Sequence, residues 1–113
     1  MINKEKLIKN EMKHLPKDFR TNYQKMDNLL HVDFFEIGAS GNTYKKVDIL
    51  NAIPLESHNY EIRDFSFLLK ENYIIANYLL IKDFTEISSC ESKWVTTSSG
   101  LKLIFFKNIK IVK

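Results

Sequence analysis

The chain has 113 residues, 44% of them hydrophobic and 27% charged, with a net charge of +3, which fits one globular domain, 1–113, with a single core. Its only cysteine, Cys90, excludes an internal disulfide and suits a reducing compartment, so we predict a cytoplasmic protein. Residues 1–15 lack the apolar run of a signal peptide, and no segment reaches the roughly 20 apolar residues of a membrane helix, so we expect no membrane partner.

The first part of the chain predicts two helices. Residues 2–14 carry apolar side chains at helical spacing, and Pro16 ends or bends that helix. Pro16 also suits the first turn of a second helix that ends near His31. The apolar stripe of this second helix is formed by Phe19, Tyr23, Met26 and Leu30.

A strand, a turn and a third helix follow. Residues 33–37 alternate like a strand, and residues 39–42 contain the Ser, Gly and Asn of a turn. Residues 45–53 predict a short helix that Pro54 ends.

The rest of the chain predicts four strands. The runs 60–70 and 73–84 are split by Glu71-Asn72, and the runs 91–98 and 101–112 by Ser99-Gly100. Residues 85–90 read as the loop between the two hairpins. Helices before an antiparallel meander predict an α+β fold with helices on one face of the sheet. Because strands of this length tend to curl, the sheet and helices should enclose a small-molecule pocket.

Several residues resemble one known family. The order Leu29-Leu30, Asp33-Phe34, Glu36 and Ser40-Gly41 after two helices is similar to the bacterial DUF4440 branch of the NTF2-like superfamily. An upstream Arg20, a later Ser92-Lys93-Trp94 and a last strand after a Gly turn fit the same pattern.

The resemblance implies a SnoaL- or ketosteroid-isomerase-like cone. In this fold a strongly curved antiparallel sheet wraps on two to three N-terminal helices and leaves a cavity, and homodimers often form through the sheet. The superfamily includes enzymes, adaptors and toxin-immunity proteins, so the fold implies no single activity. This chain also departs from the family, because Lys107-Asn108 stands where a His-Gln pair is common.

Glu36 is the candidate catalytic residue. In a period-two strand it shares a face with Phe34, and the resemblance makes this the cavity side. A carboxylate among apolar rings would serve as a proton shuttle. The alternative, which we favour, is a structural ion pair of Glu36 with Arg20 or Arg63.

Other side chains are candidates for the pocket walls. Tyr44 and Tyr78 are possible hydroxyl donors to an oxyanion, although a core role is the stronger reading for each tyrosine. Trp94 is a pocket wall or an interface residue. The predicted pocket residues are Arg20, Phe34, Glu36, Tyr44, Tyr78 and Trp94.

The remaining polar residues are weaker candidates for a catalytic or metal site. His31 and Asp33 form a possible base and orienter, but a helix-ending histidine more often complements the helix dipole. The three histidines have no metal-ligand spacing, so we expect no metal and no cofactor. Cys90 reads as an exposed thiol in a polar loop.

Charge is unevenly distributed along the chain. Residues 1–25 hold seven basic and three acidic residues, residues 26–101 hold six and eleven, and residues 102–113 hold four lysines without an acid. A solvated helix face and a lysine-protected strand edge explain this excess better than a nucleic-acid site, so a nucleic-acid partner is not expected.

The sequence therefore favours a non-catalytic module that binds a small apolar or amphipathic ligand or a protein partner, and a homodimer. One alternative is an isomerase or dehydratase that uses Glu36 as acid/base and a tyrosine as oxyanion donor. A second alternative is a toxin-immunity or adaptor protein, whose acidic middle segment would meet a basic partner.

Overall fold

The computed structural model describes residues 3–52 and 57–112. The first helix, α1, spans Lys4–His14. The side chain of Asn3 caps its start by accepting a hydrogen bond from the amide of Lys6 at 3.0 Å. Lys13 and His14 in its last turn complement the negative end of the helix dipole.

The predicted second helix, from Pro16 to His31, is wrong as one element. It is divided into α2, Lys17–Arg20, and α3, Tyr23–Leu29. Asn22 causes the break, because its extended backbone and its side chain, which accepts from the amide of Lys25 at 3.0 Å, start a new helix. The apolar stripe does not report such a break, since it continues through both helices.

The middle segment contains one strand more than predicted. Strand β1 spans Leu30–Ile37, so the predicted strand is confirmed and begins three residues earlier. A turn closed by Gly38 and Asn42 leads to β2, Thr43–Lys45, which is too short to give a sequence pattern. Helix α4 spans Lys46–Asn51, and the predicted end at residues 53 and 54 lies outside the described residues.

All four later strands are confirmed. They are β3, Tyr60–Leu69, β4, Tyr73–Lys82, β5, Glu86–Thr97, and β6, Gly100–Val112. The predicted loop 85–90 is wrong, because β5 already begins at Glu86. The connection is a tight turn instead, with positive φ at Asp83 (51°) and Phe84 (68°).

The strands form one curved, unclosed sheet in the order β2-β1-β6-β5-β4-β3. Neighbouring strands are antiparallel, except that β1 and β6 run parallel. Irregularities in the register between Arg63 and Ser66 and between Lys93 and Trp94 add to the bending of the sheet. The predicted α+β cone is therefore confirmed.

The two faces of the sheet differ in burial. The inner face carries the core and packs against the helices, with Phe34, Ala76, Tyr78, Ser92, Trp94, Leu103 and Phe106. The outer face carries Phe35, Ile75, Glu91, Lys93, Phe105, Lys107 and Ile109. Leu7 of α1 and Met26 of α3 complete the core from the helical side.

The Asn22 cap can be tested by one substitution. Asn22→Ala should lower the free energy of unfolding by about 1 kcal/mol, because the first turn of α3 loses its side-chain acceptor. Asn28→Ala is the matched control, since Asn28 is exposed within the same helix and alanine is the better helix former. Urea denaturation followed by circular dichroism measures both variants. Equal losses would contradict the capping role.

Candidate functional site

A buried carboxylate lies at the centre of the contact between α1 and the sheet. Glu11 is 0% exposed and accepts four hydrogen bonds. Its Oε1 accepts from His14 Nε2 at 2.8 Å, the Tyr78 hydroxyl at 2.7 Å and the Ser92 hydroxyl at 2.7 Å. Its Oε2 accepts from Trp94 Nε1 at 2.6 Å. We call these five residues the Glu11 network; it joins α1 to β4 and β5.

The network determines the protonation of its members. Burial by itself would raise the pKa of Glu11, but the hydrogen bond and charge of His14, with the Ser92 and Trp94 donors, bring that pKa below its ordinary value. Burial, followed by the charge of Glu11, raises the pKa of the Tyr78 hydroxyl far above its usual range. Tyr78 therefore stays a neutral donor whose proton is directed at Glu11.

A separate open cleft lies between β1, the β1–β2 turn and α4. Its volume is about 860 Å³. Its charged wall residues are Arg20, Glu36 and Asp48. Its other walls combine the ring of Tyr44 with the hydroxyls of Ser40 and Thr43 and the apolar side chains of Ala39, Ile49 and Ala52. Such a mixture suits a ligand with both apolar and polar parts.

Three of the six predicted pocket residues meet in this cleft: Arg20, Glu36 and Tyr44. The other three do not line it. Phe34 and Trp94 are buried in the core, and the polar atoms of Tyr78 and Trp94 are directed at Glu11. Sequence periodicity places these residues on the inner face correctly, but it does not separate the packed part of that face from the open part.

The expected ion pair of Glu36 is formed with Arg20. Arg20 Nη2 lies 3.4 Å from Glu36 Oε1, and Arg20 Nε donates to the backbone carbonyl of His14 at the end of α1. The prediction of Arg63 as the alternative partner is wrong, because Arg63 pairs with Glu61 on the surface at 2.6 Å. Arg20 thus connects the cleft to the helix end that the Glu11 network positions.

Tyr44 is placed by the pairing of β1 with β2. It lies opposite Glu36 in the antiparallel register, so both side chains are on the same face of the sheet. A Cβ at Gly38 would lie 3.2 Å from Tyr44 Cε2. The glycine therefore allows the ring to approach the turn closely.

The predicted His31–Asp33 pair does not form a catalytic unit. His31 Nδ1 accepts a hydrogen bond from the backbone amide of Asp33 at 3.0 Å, and the Asp33 carboxylate is exposed, 3.9 Å from the same nitrogen. Neither residue lines the cleft. Within residues 3–52 and 57–112, no group of three His, Cys, Asp or Glu side chains could hold a metal ion.

Cys90 is buried on the inner face of β5, so its prediction as an exposed loop thiol is wrong. Burial, with the charges of Glu11 and Glu36, raises its pKa to about 12, which makes it a poor nucleophile. Asn108 of β6 is its register partner, and the buried Oδ1 of Asn108 has no hydrogen-bond partner in the described part of the chain.

No described helix is long and apolar enough to cross a membrane.

Sequence reasoning missed Glu11 and His14. A signal was present, because Leu7, Glu11 and His14 follow one another at i, i+4 and i+7 along one stripe of the first helix. Two polar residues in an apolar stripe indicate a buried polar network. Counting only the apolar positions of the helix hides them.

Comparison with known proteins gives the class of fold. No protein-family model and no curated protein matches the chain. Similar solved structures include an NTF2-like protein from Cytophaga hutchinsonii, with a TM-score of 0.78 and 18% identity over 98% of this chain and 100% of that one. The S. rosetta CaMKII hub has a TM-score of 0.78 and 11% identity over 98% of this chain and 99% of that one. A ketosteroid isomerase-like protein from Parabacteroides distasonis has a TM-score of 0.73 and 14% identity over 98% of this chain and 95% of that one.

These likenesses extend over nearly all of each chain and define an α+β cone. The particular fold is the NTF2-like fold, as the sequence resemblance predicted. At such low identities the likeness does not carry an activity to this chain. The assignment to the DUF4440 branch, the single-domain boundary and the cytoplasmic location stay predictions.

The Glu11 network predicts a large effect of Glu11→Gln on stability. The free energy of unfolding should fall by roughly 3–5 kcal/mol, because a buried charge partner is removed while His14 stays buried. Glu5→Gln, on the exposed side of the same helix, should change it by less than about 0.5 kcal/mol. Urea denaturation at pH 7 compares the two.

The same network predicts a pH dependence. Because the pKa of Glu11 is lowered in the folded protein, its contribution is complete above about 4.5, the usual glutamate value, and is lost as the pH falls through the folded-state value. The wild type should therefore lose more stability than Glu11→Gln as the pH falls below about 4.5. Parallel pH profiles of the two proteins would exclude this role.

Proposed function

We propose that this protein is a non-catalytic binding module that takes a small amphipathic ligand into the cleft beside β1, β2 and α4. The observation that supports it is the cavity of about 860 Å³, whose lining combines the Arg20–Glu36 pair and Tyr44 with apolar side chains. Charged groups of both signs next to an apolar wall fix the orientation of a ligand, and the apolar wall supplies affinity.

Two features of the cleft argue against chemistry there. Arg20 Nη2 lies 3.4 Å from Glu36 Oε1, so one oxygen of the candidate catalytic carboxylate is already engaged in an ion pair. The Tyr78 hydroxyl, an expected oxyanion donor, is directed at Glu11 and does not reach the cleft. Of the two tyrosines expected as oxyanion donors, Tyr78 is therefore occupied by the core, and only Tyr44 lines the cleft.

An isomerase or dehydratase is the second candidate. One observation favours it, namely that Glu36 and Tyr44 are cross-strand partners of β1 and β2 and both line the cleft. A carboxylate and a phenol in one cleft are the components of proton transfer next to an oxyanion. In this mechanism Glu36→Gln would abolish turnover and leave the fold intact.

The binding function can be tested by filling the cleft. Thr43→Trp enlarges an exposed residue that lines the cleft on the edge strand, whereas Val47→Trp adds the same ring on the exposed side of α4 outside it. A panel of small aromatic amines, aromatic acids and steroids is screened by thermal shift. A binding compound at a hundredfold excess over its Kd should stabilise the wild type and Val47→Trp by about 2.7 kcal/mol.

Thr43→Trp should lose this stabilisation. An equal shift in Thr43→Trp and the wild type would place the binding site elsewhere. Turnover of a compound that binds, abolished by Glu36→Gln, would replace the binding proposal with the isomerase candidate.

We also propose that the protein forms a homodimer through the outer face of the sheet. This face exposes apolar side chains that a lone chain would leave in water: Phe35, 37% exposed, is stacked on Phe105 at 6.5 Å, and Ile109 is 45% exposed. Exposed rings and aliphatic groups on one continuous surface mark an interaction site.

Charge complementarity supports a second copy as the occupant. Glu91 of β5 lies beside Lys107 of β6, and Lys93 follows two residues later on the same face. Because the face carries both signs close together, a twofold rotation can bring the acid of one copy to a lysine of the other. A partner with a single sign of charge would match only part of this surface.

The dimer can be tested by mass. The chain has a mass of 13.3 kDa, so light scattering of the eluted wild type should give about twice that value. Ile109→Asp should shift the particle to the monomer mass, because it puts a charge into the contact. Val47→Asp, at an apolar position that is more exposed but lies on α4, should not. A monomeric wild type, or an Ile109→Asp protein of dimer mass, would contradict the proposal.

A further inference from the structure

The cleft has more negative than positive charge. Its charged lining residues are Glu36 and Asp48 against Arg20 alone. Arg20 already uses its Nε on the His14 carbonyl and its Nη2 on Glu36. A carboxylate ligand would therefore have to compete with Glu36 for a guanidinium that is already engaged.

Glu36 is the carboxylate with spare capacity. It contacts Arg20 through Oε1 alone, at the long distance of 3.4 Å, and the described residues supply no partner for Oε2. Only 8% of the residue is exposed, so a charge bound to it would be partly shielded from water. Asp48, by contrast, accepts the backbone amide of Lys45 at 2.8 Å and caps α4.

The tyrosine ring next to Glu36 also favours binding of a cation. Tyr44 is its cross-strand neighbour, and neighbours of this kind have Cβ atoms about 5 Å apart. A cation bound to the carboxylate is then within reach of the electron-rich face of the ring.

We propose that the ligand of this cleft is an amphipathic amine, whose ammonium group binds between the Glu36 carboxylate and the Tyr44 ring while its apolar body lies against Ile49. This inference rests on the proposed binding function and names the chemical class of the ligand.

Three probes share a phenylethyl body and differ in charge, so they test whether the cleft prefers a cation, a neutral group or an anion. They are 2-phenylethylamine, 2-phenylethanol and 3-phenylpropanoate. Each is titrated into the wild type at pH 7, and backbone amide shifts are followed by NMR. The amine should bind at least tenfold more tightly than the alcohol and should move the amides of Gly38 and Tyr44. In Glu36→Gln the amine should lose this preference and bind like the alcohol.

Tyr44→Leu gives an independent readout at an edge-strand position, so the inference stays testable if Glu36→Gln does not fold. The amine should weaken several-fold more than the alcohol in this variant, because only the amine interacts with the ring through its charge. Equal losses for both probes would overturn the inference.

The outcomes for the ligand class and for the binding function differ. Tightest binding by 3-phenylpropanoate, or equal binding by all three probes, would overturn the amine inference and leave the binding function in place. If no probe moves the cleft amides and no compound of the thermal-shift panel is sensitive to Thr43→Trp, both proposals fail.

Discussion

The buried carboxylate of Glu11 is the interaction on which the arrangement of this molecule depends. A charge without water is costly unless donors surround it, and here the donors come from α1 itself, from β4 and from β5. These bonds hold the helix in position on the sheet, because a displaced helix would leave the carboxylate without its donors. Its effect extends further, because the carbonyl of His14 binds Arg20 and Arg20 binds Glu36. The positions of Arg20 and Glu36 in the cleft therefore depend on the Glu11 network in the core.

This dependence divides the polar groups of the cone into two sets. Tyr78, Ser92 and Trp94 are buried and saturated by one carboxylate, so they stabilise the fold. Glu36 and Tyr44 lie toward the edge of the sheet, where the short strand β2 pairs with β1 and where space is open. In an NTF2-like fold, whose members differ widely in activity, the groups left unsatisfied by the fold are the ones available to a ligand.

The sequence predicted most of the architecture, because most of it follows from local patterns. Alternation along β1 placed Phe34 and Glu36 on the inner face, and a buried acid required a base, which Arg20 provides. The break at Asn22 was missed because the apolar stripe crosses it without change. The Glu11 network was missed because its members are up to 83 positions apart in the chain. No local periodicity reports which distant donors will surround a polar residue.

The strand alternation that identified Glu36 also explains the departure at Lys107-Asn108. Adjacent residues of a strand face opposite sides, so two neighbouring substitutions act on different surfaces. Lys107 lies on the outer face beside Glu91, where a cation contributes to the charge pattern of the proposed dimer contact. Asn108 lies on the inner face opposite Cys90, with an amide oxygen that has no partner among the described residues. The departure from the family pattern therefore falls on two different faces of the sheet, and only Lys107 lies on the face of the proposed dimer contact.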